Sequence, residues 1–337
     1  MQFALLVKSH ANARYAQSLQ KLAAVECDCM LFALNAKAEI RYETLAGTPF
    51  LMLTCDALGQ DEWAYLARHS SLSLAAERDG DWLRPLRLDR PAYLPPDLAQ
   101  VLKYKGKTNA DFTQLMLNCA RSASAWALSG EPLTVLDPLC GRGTTVFCAL
   151  TAGDNAIGLE ADDKALHEAD TYLERYLQYH RLKHSRQQRS ITLRRGGALR
   201  ETRYTLADSA EHYRQGQTIQ CRWICGDTAQ ADEAAGHHGC HLIVGDLPYG
   251  VQHAPQDGRG IGSLAGLLQR ALPAYHRALA TGGALALSFN THTLPRDSVV
   301  RAMRDAGFAP MEEAPFQDFE HWVEQAVNRD MVIAVKA

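Results

Sequence analysis

Four acidic residues stand where short apolar segments end, and the motif around the first of them has the form of a ligand-binding turn. Asp137 follows the apolar residues Val135 and Leu136 and precedes a turn that contains Gly141 and Gly143. A strand that ends in an acid and continues through a glycine turn into a helix is the opening βα unit of a nucleotide-binding sheet. Glycine lets the backbone take positive φ angles and approach a ligand closely. A purely structural turn is the alternative for the two glycines alone.

A second motif, Asp246-Leu247-Pro248-Tyr249, ends the apolar run that begins at Leu242. A planar exocyclic amine is a poor nucleophile because its lone pair is delocalised. The side chain of Asp246 and the backbone carbonyl of Pro248 could accept its two N–H bonds and stabilise the positive charge that develops on nitrogen. Proline restricts the backbone so that this carbonyl faces the pocket, and Tyr249 could stack on a flat ring. The motif is therefore suited to hold an amine for attack on an electrophile.

The other two acids complete the set. Glu160 ends a strand-like segment 23 positions after Asp137, where a ribose-binding carboxylate is expected. Asp227 ends a further apolar segment and is suited to accept a hydrogen bond from an adenine amino group. The ligand crevice of a doubly wound sheet lies outside the carboxyl ends of its strands, so all four acids are expected at one edge. A nicotinamide cofactor is disfavoured, because its GxGxxG fingerprint needs a glycine where Val146 stands.

The two motifs together carry a resemblance to a known family. The turn Asp-Pro-x-Cys-Gly-x-Gly-Thr from Asp137 to Thr144, followed by Asp-x-Pro-Tyr from Asp246, resembles the class I S-adenosylmethionine-dependent amino-methyltransferases. Within these the chain most resembles the THUMP-type tRNA guanine-N2 methyltransferases, over residues 101–337. The resemblance implies S-adenosyl-L-methionine as cofactor and guanine N2 of RNA, above all tRNA, as the methyl acceptor. Leu247 stands where many relatives carry a proline, and a close variant of this form occurs among THUMP-type enzymes.

The resemblance also implies which residues form the site. The catalytic residues are expected to be Asp246, Pro248 and Tyr249. The expected cofactor-binding residues precede the first strand, line the glycine turn or end the strands: Phe112, Thr113, Asp137, Pro138, Cys140, Gly141, Gly143, Thr144, Thr145, Glu160, Asp227 and Asp246. No metal is expected, because the spacing of the cluster just before the second motif fits no standard zinc pattern. That cluster consists of His237, His238, Cys240 and His241.

Strand-like and helical segments alternate along residues 101–337, which predicts a Rossmann-like, doubly wound α/β methyltransferase sheet. Its predicted helices are Asp111–Ala127, Val146–Thr151, Asp163–Tyr179, Leu264–Ala280 and Ser298–Ala306, and its predicted strands include Asn155–Glu160, Ala284–Phe289 and Met331–Val335. Residues 1–100 are predicted to form a separate small α+β domain. Its predicted strands are Phe3–Val7, Met30–Leu34, Glu39–Thr44 and Pro49–Thr54, and its predicted helices are Arg14–Val25 and Glu62–Leu74.

The small domain resembles the N-terminal ferredoxin-like portion of the THUMP-type enzymes. A full THUMP module would need many more residues than residues 1–100 provide, so this part is expected to be reduced relative to THUMP-containing relatives. A proline-rich passage around Pro85–Pro96 is predicted to link the domains. The basic stretch from Arg181 to Arg203 would suit an arm that contacts phosphates, or else a solvated insertion.

Composition places the chain among ordinary soluble globular proteins, with 47% hydrophobic and 22% charged residues. No segment has the length of a membrane span, and the irregularly spaced cysteines suit buried thiols in a reducing cytoplasm. The net charge of −3 provides no general attraction for nucleic acid. The alternatives are therefore the same chemistry on a DNA amine, a protein glutamine amide or a small-molecule nitrogen, or else a non-catalytic protein that binds the cofactor or RNA. The oligomeric state is left open.

Overall fold

The computed structural model describes residues 1–8, 13–88, 92–102, 107–248 and 264–337. Two sheets organise these residues, one near the N-terminus and one spanning the rest of the chain. Within the described ranges, no helix combines the length and the apolar character that crossing a membrane requires.

The first sheet is antiparallel and carries two helices. Its elements are β1 (Gln2–Val7), α1 (Ala13–Ala33), β2 (Ala38–Leu45), β3 (Thr48–Cys55), α2 (Gln60–Leu66), β4 (Leu72–Asp79) and β5 (Trp82–Pro85). The strand order is β2-β3-β1-β4-β5. A β-α-β-β-α-β succession with β1 and β3 at the centre is the ferredoxin-like arrangement, to which β5 adds an edge strand. The prediction of a small α+β fold near the N-terminus is confirmed.

Two local predictions for this part are wrong. Met30–Leu34 is not a strand, because α1 continues to Ala33. Leu22, Glu26 and Met30 are buried at helical spacing, which shows that the helix keeps one face inward to its end. Glu62–Leu74 is not one helix, because α2 ends at Leu66 and β4 begins at Leu72.

The second sheet is mixed and has helices on both faces. Its elements begin with α3 (Leu98–Val101), α4 (Ala110–Ala123), β6 (Thr134–Asp137), α5 (Thr144–Thr151), β7 (Asn155–Glu160), α6 (Asp163–Tyr179), β8 (His184–Thr192), β9 (Ala198–Leu206) and α7 (Ala210–Arg214). They continue with β10 (Ile219–Cys225), a 3₁₀ turn (Thr228–Gln230), α8 (Ala231–Ala235), β11 (Cys240–Asp246), α9 (Leu264–Ala278), β12 (Leu279–Asn290), α10 (Arg296–Asp305), β13 (Ala309–Pro310), β14 (His321–Glu324) and β15 (Val327–Val335).

The strand order of the second sheet is β13-β15-β12-β11-β6-β7-β10-β9-β8, with β14 paired to β15. Strands β12, β11, β6, β7 and β10 are parallel to their neighbours in this run, whereas β15 is antiparallel to β12. The chain moves outward from β6 in one direction through β7 and β10, and in the other through β11 and β12. This reversal beside β6 defines a doubly wound sheet and places its switch point between β6 and β11. The predicted Rossmann-like sheet is confirmed.

The basic stretch forms a β-hairpin that extends this sheet. Strands β8 and β9 pair with each other, and β9 pairs with β10. Arg186 donates to Asp170 at 2.6 Å, and Arg194 and Arg200 form ion pairs with Asp232 and Asp163. These three arginines are therefore neutralised by carboxylates of the same chain, which weakens the expectation that the stretch grips phosphates.

Helix α4 joins the two sheets. Leu22 and Cys29 of α1 belong to the same buried core as Phe112 and Leu115 of α4. The buried carboxylate of Glu26 accepts hydrogen bonds from Ser70 and from the Asn118 amide of α4. Helix α1, which packs on the first sheet, is therefore also packed against the helix that leads into the second.

Candidate active site

The candidate site lies at the carboxyl ends of the parallel strands, beside the switch point. Asp137 ends β6 and is only 4% exposed, and its Oδ1 accepts the backbone N–H of Leu139 at 3.1 Å. Burial raises the pKa of Asp137 to about 7, against the lowering effect of hydrogen bonds from Thr145 and Leu139. The negative charges of Glu160 and Asp246 raise this pKa further. These two acids end β7 and β11, the strands that pair with β6 on either side.

The glycine turn after β6 is held by the tip of β7. The N–H of Gly141 donates to Glu160 Oε2 at 2.8 Å, and Glu160 Oε1 accepts the N–H of Asp162 at 2.8 Å. Gly141 has φ +51°, and a Cβ added there would meet no atom within 4 Å. The turn therefore faces open space on that side, where a ligand could approach the backbone.

Position 143 requires glycine because a side chain there would collide with a buried indole. It has φ +86° and is the residue before α5, and an added Cβ would lie 2.5 Å from Cη2 of the Trp223 indole. Trp223 is 1% exposed and also lies 2.8 Å from the position of a Cβ on Gly158. The Trp223 indole thus packs directly against the turn, and only glycine leaves room for it at positions 143 and 158.

Asp227 lies on the same edge, one strand further out. The N–H of Gly226 donates to the backbone carbonyl of Glu160 at 3.0 Å, which holds the ends of β10 and β7 together. Asp227 is exposed and caps the 3₁₀ turn by accepting the N–H of Ala229 at 2.8 Å. The Gln230 side chain accepts the Asp227 N–H in return. This reciprocal capping box fixes the carboxylate at the rim of the crevice.

Asp246 ends β11, next to β6 across the switch point. Its Oδ2 accepts a hydrogen bond from the Thr108 hydroxyl at 2.5 Å, and its Oδ1 accepts one from the Ser288 hydroxyl. Ser288 is fully buried on β12 and stands opposite Asp246 in the ladder. Each carboxylate oxygen is thus oriented by a hydroxyl donor.

The rest of the second motif is described only in part. Leu247 is buried, and its N–H donates to the Ser288 carbonyl at 2.9 Å, so this residue extends the strand pairing beyond Asp246. Pro248 follows and is half-buried. Tyr249 lies outside the described residues, so its stacking role remains a prediction.

The remaining expected cofactor residues are buried around the turn. Pro138 packs against Gly245, 3.5 Å from the position that a Cβ would occupy there. The Cys140 N–H donates to the Leu159 carbonyl at 3.1 Å, and burial raises the pKa of its thiol well above the ordinary value. Thr144 and Thr145 are buried in the first turn of α5. These contacts show how the turn is built, and the part that each residue takes in binding stays a prediction.

Phe112 and Thr113 sit inside the protein rather than on the crevice wall. The Arg329 guanidinium carbon lies 4.6 Å from the centre of the Phe112 ring, and the His321 ring centre lies 5.1 Å from it. Thr113 is 2% exposed, and its hydroxyl donates to the Asn109 carbonyl at 3.2 Å. Their contact with a cofactor therefore remains an expectation from the resemblance.

Sequence reasoning missed three residues that shape the site: Thr108, Ser288 and Trp223. Ser288 carries a weak signal, since it is a polar residue near the end of the apolar run of β12. Thr108 carries none, because it precedes α4 and lies 138 positions from the carboxylate that it contacts. Trp223 reads as an ordinary core residue of β10 until the glycines above it are seen.

Three members of the histidine and cysteine cluster at the start of β11 have other side-chain partners. His237 Nε2 lies 2.9 Å from Arg194 Nη1, and the His241 Nδ1 accepts the N–H of Thr134 at 2.9 Å. The Cys240 thiol donates to the Ala278 carbonyl at 3.3 Å. Among the described residues, no group of three or more His, Cys, Asp or Glu side chains is arranged to hold a metal ion.

No protein-family model and no curated protein matches this sequence. Similar solved structures include TrmN from Thermus thermophilus, with 17% identity and a TM-score of 0.43 over 89% of this chain and 60% of that one. A SAM-dependent methyltransferase from Agrobacterium tumefaciens has 16% identity and a TM-score of 0.41 over 71% and 66%. A TehB-like SAM-dependent methyltransferase from Corynebacterium glutamicum has 14% identity and a TM-score of 0.36 over 63% and 84%. At these values the likeness assigns no activity to this chain.

Proposed function

We propose that this protein is an S-adenosylmethionine-dependent N-methyltransferase that acts on an exocyclic amine, with guanine N2 of RNA, above all tRNA, as the acceptor. The observation that carries the proposal is the convergence of Asp137, Glu160 and Asp246 around the glycine turn. Asp246 in that group is oriented by two hydroxyl donors.

The residues present fit the proposed cofactor. In this proposal Glu160 would accept hydrogen bonds from the ribose hydroxyls, and Asp227 at the rim would accept one from the adenine amino group. The open side of Gly141 leaves room for close approach of the methionine part, whose ammonium group would be attracted by Asp137. The N-terminus of α5 would offer backbone N–H groups to the carboxylate of the cofactor's methionine part. When bound, S-adenosylmethionine supplies an electrophilic methyl group on a sulfonium.

The chain's own residues would then prepare the acceptor nitrogen. The Asp246 carboxylate accepts one N–H of the amine and the Pro248 carbonyl accepts the other, which directs the lone pair towards the methyl group. Positive charge develops on nitrogen during the in-line displacement, and an oriented carboxylate stabilises it without reorganising. A strong general base is unnecessary, because the methylated ammonium releases its proton readily. Orientation and electrostatics would therefore provide most of the rate.

The choice of RNA as the acceptor rests on the resemblance of the paired motifs to those of the THUMP-type enzymes. A base in a duplex would have to be flipped out to reach Asp246. The same chemistry on a DNA amine, a glutamine amide or a small-molecule nitrogen is the first alternative, and the net charge of −3 favours its two acceptors that are not nucleic acids. A protein that binds the cofactor or RNA without turnover is the second, and the doubly supported Asp246 disfavours it.

Two measurements test the proposal. Isothermal titration with S-adenosylmethionine, beside a tritiated methyl-transfer assay on tRNA and rRNA, separates an enzyme from a binding protein. Mass spectrometry of nucleosides from cells with and without the gene identifies the product. Loss of a methylguanosine in the deletion strain is the expected result. An unchanged profile would refute RNA guanine N2 as the target, and absence of cofactor binding would refute the whole assignment.

A further inference from the structure

A cavity of about 130 Å³ lies where the end of α2 meets α4. Its lining includes Arg68 just after α2, residues of α4, Asp154 just before β7 and Leu242 near the start of β11. Glu160 and Asp246 end these same two strands, which are parallel to β6. The cavity therefore lies at the edge of the second sheet opposite the candidate active site. We refer to it as the arginine cavity.

The arginine cavity contains more positive than negative charge. Arg121 is only 5% exposed and forms an ion pair with Asp154, whose Oδ1 also accepts the Leu133 N–H at 2.9 Å. Arg68 is partly buried, and its guanidinium has no hydrogen-bond or ion-pair partner among the described residues. Among the described residues that line the cavity, two guanidinium groups thus share a single carboxylate. One positive charge is left without a counter-ion.

The two arginines are close enough to repel each other. Burial and the positive charge of Arg121 lower the pKa of Arg68, against the raising effects of Asp154 and Tyr65. A charge that is withdrawn from water without a partner destabilises the fold. An anion beside Arg68 would remove that cost and would screen the repulsion between the two guanidinium groups.

The carboxamides of α4 determine which further donor reaches the cavity. Asn118 Nδ2 already donates to Glu26 and to the Arg68 carbonyl, at 2.7 Å each. Glu26 also accepts hydrogen bonds from Ser70 and does not line the cavity. Gln114 donates one amide N–H to Asn118 Oδ1 at 3.0 Å, and its second N–H has no partner among the described residues. Gln114 can therefore donate to a ligand that Arg68 attracts.

The volume of the cavity limits the size of that ligand. A cavity of about 150 Å³ in another protein binds benzene, and a tetrahedral oxyanion such as phosphate is slightly smaller than benzene. The arginine cavity, at about 130 Å³, can therefore take such an ion. A nucleotide or a peptide is too large for it.

We infer that the arginine cavity binds a small tetrahedral oxyanion of the class of phosphate or sulfate, with the Arg68 guanidinium as its principal ligand and Gln114 as a further donor. The bound ion would connect the end of α2, which belongs to the first sheet, to the helix that leads into the second. A phosphate group could come from free inorganic phosphate or from a nucleic-acid backbone, and the small volume favours the free ion. The inference is independent of the proposed function, because the cavity and Asp246 lie at opposite edges of the sheet.

The test is direct binding of inorganic phosphate to the full chain, measured by isothermal titration in a chloride buffer of constant ionic strength. Saturable binding of one phosphate per chain is expected. Arg68→Gln should weaken it roughly 10- to 150-fold, the range for loss of one hydrogen bond to a charged group. Arg68→Lys keeps the charge and should recover part of that loss. Arg175→Gln is the matched control, because it removes the same charge from an exposed position on α6.

Arg121 is left unaltered in this experiment, because its removal would leave the buried Asp154 without its ion-pair partner. Phosphate also stabilises proteins without binding at a site, so urea denaturation with and without phosphate is compared across the variants. The site-specific gain in stability should be present in Arg175→Gln and absent in Arg68→Gln.

The outcomes decide both the site and the source of the ion. No saturable binding by the unaltered protein, or equal affinity in Arg68→Gln and Arg175→Gln, would overturn the inference. Dimethyl phosphate, a model of the nucleic-acid backbone, should bind about tenfold more weakly or worse, because it carries less charge and needs more volume. Binding of dimethyl phosphate as tight as that of inorganic phosphate would overturn the free ion as the ligand and assign the cavity to a backbone phosphate.

Discussion

The two hydroxyl donors on Asp246 give the sharpest test of how the site works. Thr108→Val removes the hydroxyl that donates to Oδ2 and keeps the shape of the side chain. A hydrogen bond to a charged group contributes about 1.5–3 kcal/mol. If that energy orients the carboxylate in the transition state, its loss lowers kcat by roughly 10- to 150-fold, since about 1.4 kcal/mol is a factor of ten.

The assay is the steady-state rate of methyl transfer to the acceptor that the tritium-incorporation assay identifies. Cofactor affinity is measured in parallel by isothermal titration. Cofactor affinity is expected to change less than about threefold, because Thr108 contacts Asp246 and not the glycine turn. Ser288→Ala removes the other donor and should lower kcat by a similar factor. It should also lower folding stability by about 1.5–3 kcal/mol, because it removes a hydrogen bond from a fully buried hydroxyl to a half-buried carboxylate.

Two controls make the result specific. Thr108→Ser keeps the hydroxyl and should retain most of kcat. Thr151→Val makes the same change at a buried hydroxyl that has no partner among the described residues, and it should leave kcat unaltered. If Thr108→Val turns over at the rate of Thr151→Val, the hydroxyl does not orient Asp246 and the reasoning is refuted.

Three further predictions follow from the same geometry. Asp246→Ala should abolish methyl transfer while cofactor affinity by titration changes little, and comparable loss of both would show that the carboxylate is misassigned. Gly143→Ala should lower the free energy of unfolding, measured by urea denaturation, by about 1–3 kcal/mol more than Gly196→Ala does. Both glycines have φ near +86°, but a Cβ at Gly196 would meet open space and one at Gly143 would meet the Trp223 ring. The raised pKa of Asp137, about 7, means that this carboxyl is neutral below that pH and ionised above it. Affinity for the cationic cofactor should therefore fall by up to about tenfold per pH unit below 7, and this dependence should vanish in Asp137→Asn.

Local periodicity was enough to predict the elements that carry most of the second sheet. Asn155–Glu160 and Asp163–Tyr179 have the predicted bounds, because an apolar strand ending in an acid and an amphipathic helix with an Asp cap are strong local patterns. The end of α1 was mistaken for a strand because its apolar run CMLFA has no polar residue to reveal helical spacing.

Other features depend on contacts between distant parts of the chain. The basic stretch was not expected to form strands, yet β8 and β9 extend the sheet by pairing with each other and with β10. Arg186 of β8 and Arg194 of the hairpin turn also form ion pairs with acids of α6 and α8. The support of Asp246 by Thr108 could not be predicted either, since neither residue type nor spacing joins positions so far apart. The positions of the acids at strand ends were predictable because the topology of a doubly wound sheet determines them.

Because α1 packs on α4, the seating of α4 depends on residues near the N-terminus of the chain. Lys8 at the end of β1 forms an ion pair with Asp111 at 2.7 Å, and Tyr65 of α2 hydrogen bonds to Ser122 at 2.9 Å. Both contacts fall on the helix that begins just after Thr108. A truncated protein that retained every motif residue would thus lose the surface against which α4 is seated. The small ferredoxin-like unit therefore helps to hold in place the helix that follows Thr108, the residue whose hydroxyl orients Asp246.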